Sequence, residues 1–151
     1  MTTLEQRLQR LEDRDAIHQL FIDYGRFLDA GDIDAYASLF AADGEVLLGP
    51  MGRATGRDNI RELMRKILSG RVGSAFHIIS SPAVTLNGDE ATSEVMWTVI
   101  QRDAQGKPFL SSMGRHVDRL VRVNGAWQIA QRRGLIDLPQ RLPSPGEKSE
   151  K

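Results

Sequence analysis

The stretch Arg115–Arg133, RHVDRLVRVNGAWQIAQRR, decides the fold, because two alternating runs flank an Asn-Gly pair. Asn-Gly is the strongest short hairpin signal, since both central residues of a type I′ turn take positive φ. A two-residue loop at Asn124-Gly125 pairs Val123 with Ala126 and, counting back, sets His116 opposite Arg133. One face of the hairpin then carries His116, Asp118, Leu120, Trp127, Ile129, Gln131 and Arg133. Such a mixture of apolar, histidine and arginine side chains reads as a cavity wall or an interface, and of the two the cavity is favoured. The opposite face, with Val117, Val121, Val123, Ala126 and Ala130, is expected to pack simply.

Working back from this hairpin, four segments alternate with period 2: about 75–86, 90–102, 109–123 and 126–137. Asn87-Gly88 is a second type I′ signal, and the connection 103–107 is longer and holds Gly106. The second half therefore reads as an antiparallel meander. Before residue 74 the period changes to about 3.6. Ile17, Leu20, Phe21, Tyr24, Phe27 and Leu28 form one helical stripe that points Tyr24 inward and ends at Ala30-Gly31. Thr3 and Gln6 make a capping box for an opening helix that precedes or merges with this one, with Leu4, Leu8 and Leu11 expected to pack. Asp32 is a good N-cap for a second helix carrying Ile33, Tyr36, Leu39 and Phe40 inward and ending at Asp43-Gly44. A short strand at Glu45–Leu48, a turn at Gly49–Gly52 and a return over Arg53–Gly56 lead to a third helix, about Asp58–Leu68. The expected fold class is α+β, with three N-terminal helices packed on a curved, mainly antiparallel sheet. A sheet curled over helices makes a cone with a pocket.

Composition narrows the function. The chain has 151 residues, 40% of them hydrophobic, which suits one cored domain over 1–137. Residues 138–151, with three prolines and alternating charges, read as a flexible tail. There is no cysteine, so thiolate ligands and cysteine nucleophiles are excluded. Twenty basic and twenty acidic residues cancel and the arginines are scattered, which argues against a nucleic acid partner. The opening MTTLEQRLQRLEDR is charged where a signal peptide is apolar, and no window suits a membrane span, so a cytoplasmic protein is expected.

Asp29 stands out because it falls in the last helical turn, where the dipole disfavours a carboxylate. A histidine beside a buried carboxylate can act as a general base near neutral pH, and Asp29 with His77 suits that pairing. Tyr24, His116 and Arg133 are candidates for stabilising negative charge developing on a substrate. Four of these five have a plainer reading: His77 as a satisfied core or edge residue, Tyr24 as a core aromatic, Asp29 as a helix-end residue, Arg133 as half of a surface Arg132-Arg133 pair. No metal is expected, since His-x-His, His-x-Asp and His-x-x-x-His spacings are absent. No cofactor is expected either, because glycine-rich phosphate loops and nucleophile elbows are missing.

Over about residues 10–137 the chain resembles the SnoaL-like group of the NTF2-like superfamily. The resemblance is carried by LEDRDAIHQLFIDYGRFLDAGDIDAYASLFAADGEV, GRDNIRELM, the single His77 opening a strand, VTLNGDEAT and GRHVDRLVRVNGAWQIAQRR. It is closest to the branch of scytalone dehydratase, bile acid 7α-dehydratase and hexachlorocyclohexane dehydrochlorinase. The resemblance implies a cone-shaped NTF2-like α+β barrel in which Asp29 and His77 form a dyad, with His77 removing a proton as hydroxide or chloride leaves. It implies that Tyr24 helps polarise the substrate, that His116 acts as a second histidine, and that Arg133 or its neighbour Arg132 is the last-strand arginine. The expected activity is a cofactor-independent lyase or isomerase acting on a small hydrophobic cyclic molecule such as a steroid, a polyketide or an aromatic product. The alternatives are a non-catalytic ligand-binding or subunit-assembly module, like a dioxygenase β subunit, and an epoxide hydrolase or polyketide cyclase. A homodimer or homotrimer is expected.

Overall fold

The computed structural model describes residues 1–138. Helix α1 spans Leu4–Ala30, α2 Ile33–Ser38 and α3 Arg57–Leu68, with a 3-10 turn at Gly49–Met51. The strands are β1 Phe40–Leu47, β2 Arg53–Thr55, β3 Ala75–Asn87, β4 Glu90–Arg102, β5 Pro108–Val123 and β6 Ala126–Leu138. The three helices pack on one six-stranded mixed sheet that does not close, in the order β2-β1-β6-β5-β4-β3. Every pairing is antiparallel except β1 with β6, which runs parallel. The expected tail begins at Leu138, which ends β6; residues 139–151 lie outside the described residues.

The opening helix merges with the main one into 27 residues, capped at Thr3 by the expected box with Gln6. Leu4, Leu8 and Leu11 do not pack as expected: they are exposed, because α1 meets the body of the protein only from Asp13 and Ile17 onward. Asp13 holds that junction, accepting from Trp127 Nε1 at 3.0 Å and pairing with Arg122. Gly31 ends α1 in the left-handed region, φ 69°, and its N–H donates to the carbonyl of Leu28. Asp32 caps α2 through its side chain, as its position predicts. That helix is shorter than expected. It stops at Ser38, and Phe40 already belongs to β1, where it is fully buried against β6. Tertiary pairing with Ile129 outweighs the local helical pattern.

The four long strands fall within a residue or two of their expected bounds. The turn after β5 has positive φ at both Asn124 and Gly125. The turn after β3 is displaced by one residue, with Asn87 paired to Glu90 and positive φ at Gly88 alone, so it is not type I′.

The larger correction lies in the β5–β6 register. Pairing runs from Val123↔Ala126 to Leu120↔Ile129, and then Arg119 pairs with Gln131, so Ala130 is an extra residue on β6. This bulge moves every later partner by one. His116 lies opposite Gly134, Asp118 opposite Arg132, and Arg133 opposite Val117 on the outer face. That face is not the simply packed one expected; Val117 and Val123 are exposed on it. A second irregularity, at Gly114, brings β5 and β6 so close that a Cβ there would sit 1.9 Å from the Leu135 carbonyl oxygen.

One apolar cluster joins α1, α2, α3 and the inner sheet face, centred on Ile17, Phe21, Tyr36, Phe40, Ile60 and Ile129. Among the described residues no helix is long and apolar enough to cross a membrane.

Candidate active site

The inner face of the sheet and the C-terminal end of α1 enclose a cavity of about 290 Å³. Its buried lining includes Tyr24, Leu28, Leu48, Met64, Trp97 and His116, and Asp29 and His77 lie on its wall. Cavities of this kind, apolar with a few converging polar groups, are the usual form of small-molecule sites.

Asp29 and His77 are 48 residues apart in sequence and in contact in the fold. The His77 ring Nδ1 lies 2.7 Å from Asp29 Oδ1. The same carboxylate accepts the His77 backbone N–H, at 3.0 Å to Oδ1 and 3.2 Å to Oδ2. Backbone and ring are thus held by one acceptor, which fixes Nδ1–H as the donor and leaves Nε2 with a free lone pair. Close approach of α1 to β3 makes this contact possible, and Gly25 permits it. A Cβ at Gly25 would lie 3.0 Å from Ile79 and 3.5 Å from the His77 carbonyl oxygen. Both side chains keep 23% of their surface exposed, so they are sheltered without being sealed.

Tyr24 points inward, as its helical position predicts, and is 3% exposed. Its hydroxyl lies 3.3 Å from that of Tyr36. Tyr36 is fully buried with no other acceptor, so it donates to Tyr24 and leaves the Tyr24 proton free for the cavity. Burial, followed by the neighbouring Tyr24, pushes Tyr36 well above the usual phenol range, so it stays protonated. The edge of His116 meets the Tyr24 ring with centroids 5.0 Å apart. Burial first, and the Arg132 cation second, hold His116 well below the ordinary histidine value. His116 is therefore a neutral imidazole, and its Nδ1 has no hydrogen-bond partner.

Arg133 is exposed on the outer face and does not reach the cavity, because of the bulge at Ala130. Arg132 takes the inner place. It is 1% exposed, donates to both oxygens of Asp118 at 2.8 and 2.6 Å, and stacks its Cζ 4.1 Å over the Tyr24 ring. Ser93 Oγ also donates to Asp118, at 3.3 Å. A buried charge survives only when paired and hydrogen-bonded, and this bidentate pair satisfies both requirements. The residue pattern singled out neither Trp97, in the cavity lining, nor Tyr36, behind Tyr24, while Arg132, the alternative to Arg133 that the resemblance implied, is the arginine on the inner face. A signal for Arg132 did exist, since Asp118 among Leu120, Trp127 and Ile129 requires a buried cation. Among the described residues no three His, Cys, Asp or Glu side chains gather as a metal-binding set.

The family described as SnoaL-like domain matches residues 9–133. Three solved structures show how widely the fold is shared. An NTF2-like protein with a cystatin-like fold from Novosphingobium aromaticivorans is 26% identical, with a TM-score of 0.81 over 93% of this chain and 94% of that one. A protein of unknown function from Mycobacterium tuberculosis is 26% identical, with a TM-score of 0.77 over 85% of this chain and 74% of that one. A candidate scytalone dehydratase from Novosphingobium aromaticivorans is 25% identical, with a TM-score of 0.71 over 93% of this chain and 97% of that one. No curated protein matches the chain.

Proposed function

This chain belongs to the SnoaL-like family, and from that premise we propose that it is a cofactor-independent lyase or isomerase for a small, largely apolar cyclic molecule. The observation that carries the reading is the Asp29–His77 pair, 2.7 Å apart on the wall of an apolar cavity. His77 Nε2 removes a proton from a substrate carbon, and Asp29 orients the ring and balances the imidazolium that forms. Negative charge then develops on the substrate. The Tyr24 hydroxyl and the neutral His116 imidazole stabilise it as hydrogen-bond donors, and Arg132 beneath Tyr24 adds a fixed positive charge. In an elimination the imidazolium returns its proton to the departing hydroxide, giving water and a double bond. In an isomerisation the proton goes back to a different carbon. The likeness to a candidate scytalone dehydratase supports the elimination.

Proton exchange tests this without knowledge of the natural substrate. Cyclic ketones and β-hydroxy ketones incubated with the protein in D2O are expected to gain deuterium beside the carbonyl, read by mass spectrometry. His77→Gln is expected to slow that exchange by about 10²–10⁴-fold. Exchange at the wild-type rate in the variant removes His77 as the base.

The outer sheet face supports self-association as the second part of the proposal. Phe76, Ile78, Met96 and Val117 are exposed there, a pattern that a second copy of the chain would cover. Light scattering tests it, and a monomer at micromolar concentration contradicts it.

A further inference from the structure

The cavity has a floor and a mouth, and their chemistry differs. The floor is made by buried Leu28, Leu48, Met64 and Trp97, while the exposed lining residues Met51, Arg71, Val72 and Ile136 mark the mouth. Arg71 is the one lysine or arginine in the lining among the described residues. Arg61, Arg65, Arg115, Arg122 and Arg132 each face a carboxylate, whereas the Arg71 guanidinium has no carboxylate partner among the described residues. The one carboxylate in the lining, Asp29, is committed to the His77 backbone and ring. The uncommitted charge of the cavity is therefore positive and sits at its mouth.

Its backbone position is defined. The Arg71 N–H donates to the Leu68 carbonyl at 2.9 Å, and its carbonyl accepts from the Ser74 N–H at 3.0 Å. Gly70 and Gly73, both at positive φ, bracket the turn that carries it. Gln101, Ser111 and Ser112 line the same cavity with neutral donors. A guanidinium recognises a carboxylate through two parallel N–H donors, and near solvent its attraction selects among ligands more than it binds them.

We propose that Arg71 selects substrates that are amphipathic acids, with an apolar ring body in the cavity and a carboxylate held at the mouth. The inference rests on the reading of the cavity as a substrate site and adds the polarity of the substrate to it. The carboxylate serves as a handle and takes no part in bond making.

A matched pair of probes tests this: 2-naphthylacetic acid and its primary amide, titrated by calorimetry into the wild-type, Arg71→Gln and Arg71→Lys proteins. In the wild type the acid is expected to bind about fivefold more tightly than the amide, as suits an exposed ion pair. In Arg71→Gln the ratio falls to about one with amide binding unchanged, and in Arg71→Lys part of the preference remains. Raising the salt concentration to about 1 M lowers the wild-type ratio toward one. A ratio unchanged by Arg71→Gln overturns the proposal, and so does failure of both probes to bind. Failure of the catalytic reading is separately visible. His77→Gln keeps the acid-to-amide ratio whether or not it loses proton exchange, so the two results are read from different variants.

Discussion

Two acid–base pairs stand on the same inner surface and are kept in opposite conditions. Asp29 and His77 retain 23% exposure each at the cavity wall, whereas Arg132 and Asp118 retain 1% and 0% beneath Tyr24. The first pair joins a helix end to an edge strand, and the second joins neighbouring strands across a bulge. A group that exchanges protons with a substrate must be reachable and must change charge at small cost. A group that supplies a constant field must never change charge, and burial with bidentate bonding ensures that. Under the proposed function, the difference teaches that a charged pair's role in this fold follows from its solvent access more than from its residue types.

The comparison breaks first if the buried pair is dispensable. Asp118→Ala is expected to lose about 3–5 kcal/mol of stability in urea unfolding, because it leaves the Arg132 cation buried alone. The double variant Asp118→Leu, Arg132→Met is expected to recover most of that loss while lowering proton exchange, since the field beneath Tyr24 is gone. A single variant as stable as wild type would mean that the pair does not carry the core.

The wet pair is expected to behave in the opposite way. His77→Gln, expected to slow exchange by orders of magnitude, is expected to change unfolding free energy by no more than about 1 kcal/mol. Asp29→Asn keeps an acceptor for the His77 backbone but removes the charge facing the imidazolium. Exchange is expected to fall by a smaller factor, about ten- to a hundredfold. Equal losses of stability and exchange in both variants would show the pair to be structural.

The smallest effect concerns His116, which lies between the two pairs. Its folded-state value is depressed, so the unfolded chain takes up a proton that the folded chain refuses. Stability is then full above the unfolded histidine value of about 6.5 and declines as pH falls below it, until the folded-state value is passed. The slope is at most about 1.4 kcal/mol per pH unit for this one proton. His116→Gln is expected to flatten that part of the urea midpoint–pH curve, and an unchanged curve would show that His116 is not held neutral by burial.

Much of this arrangement was legible in the chain itself. The capping box at Thr3, the helix stop at Gly31, the Asp32 cap and the bounds of the four long strands follow from local chemistry. They depend on neighbours a few residues away, which is the range over which sequence patterns act. Asp29 was conspicuous for the same reason, as a carboxylate at the wrong end of a helix dipole.

What sequence could not determine required distant parts of the chain to meet. The α2 pattern predicted Phe40 in a helix, and pairing with Ile129 made it a strand. The hairpin count predicted Arg133 in the cavity, and one extra residue at Ala130 turned it outward and put Arg132 on the inner face, buried against Asp118. With a side-chain period of two, a single inserted residue inverts every position beyond it, and no local preference in AWQIAQRR marks where the insertion falls. The sequence by itself therefore determined the elements, their order and the residue types available for chemistry. Only the tertiary structure decided which arginine is buried and that Asp29 reaches His77, because both depend on how sheet and helix pack against each other.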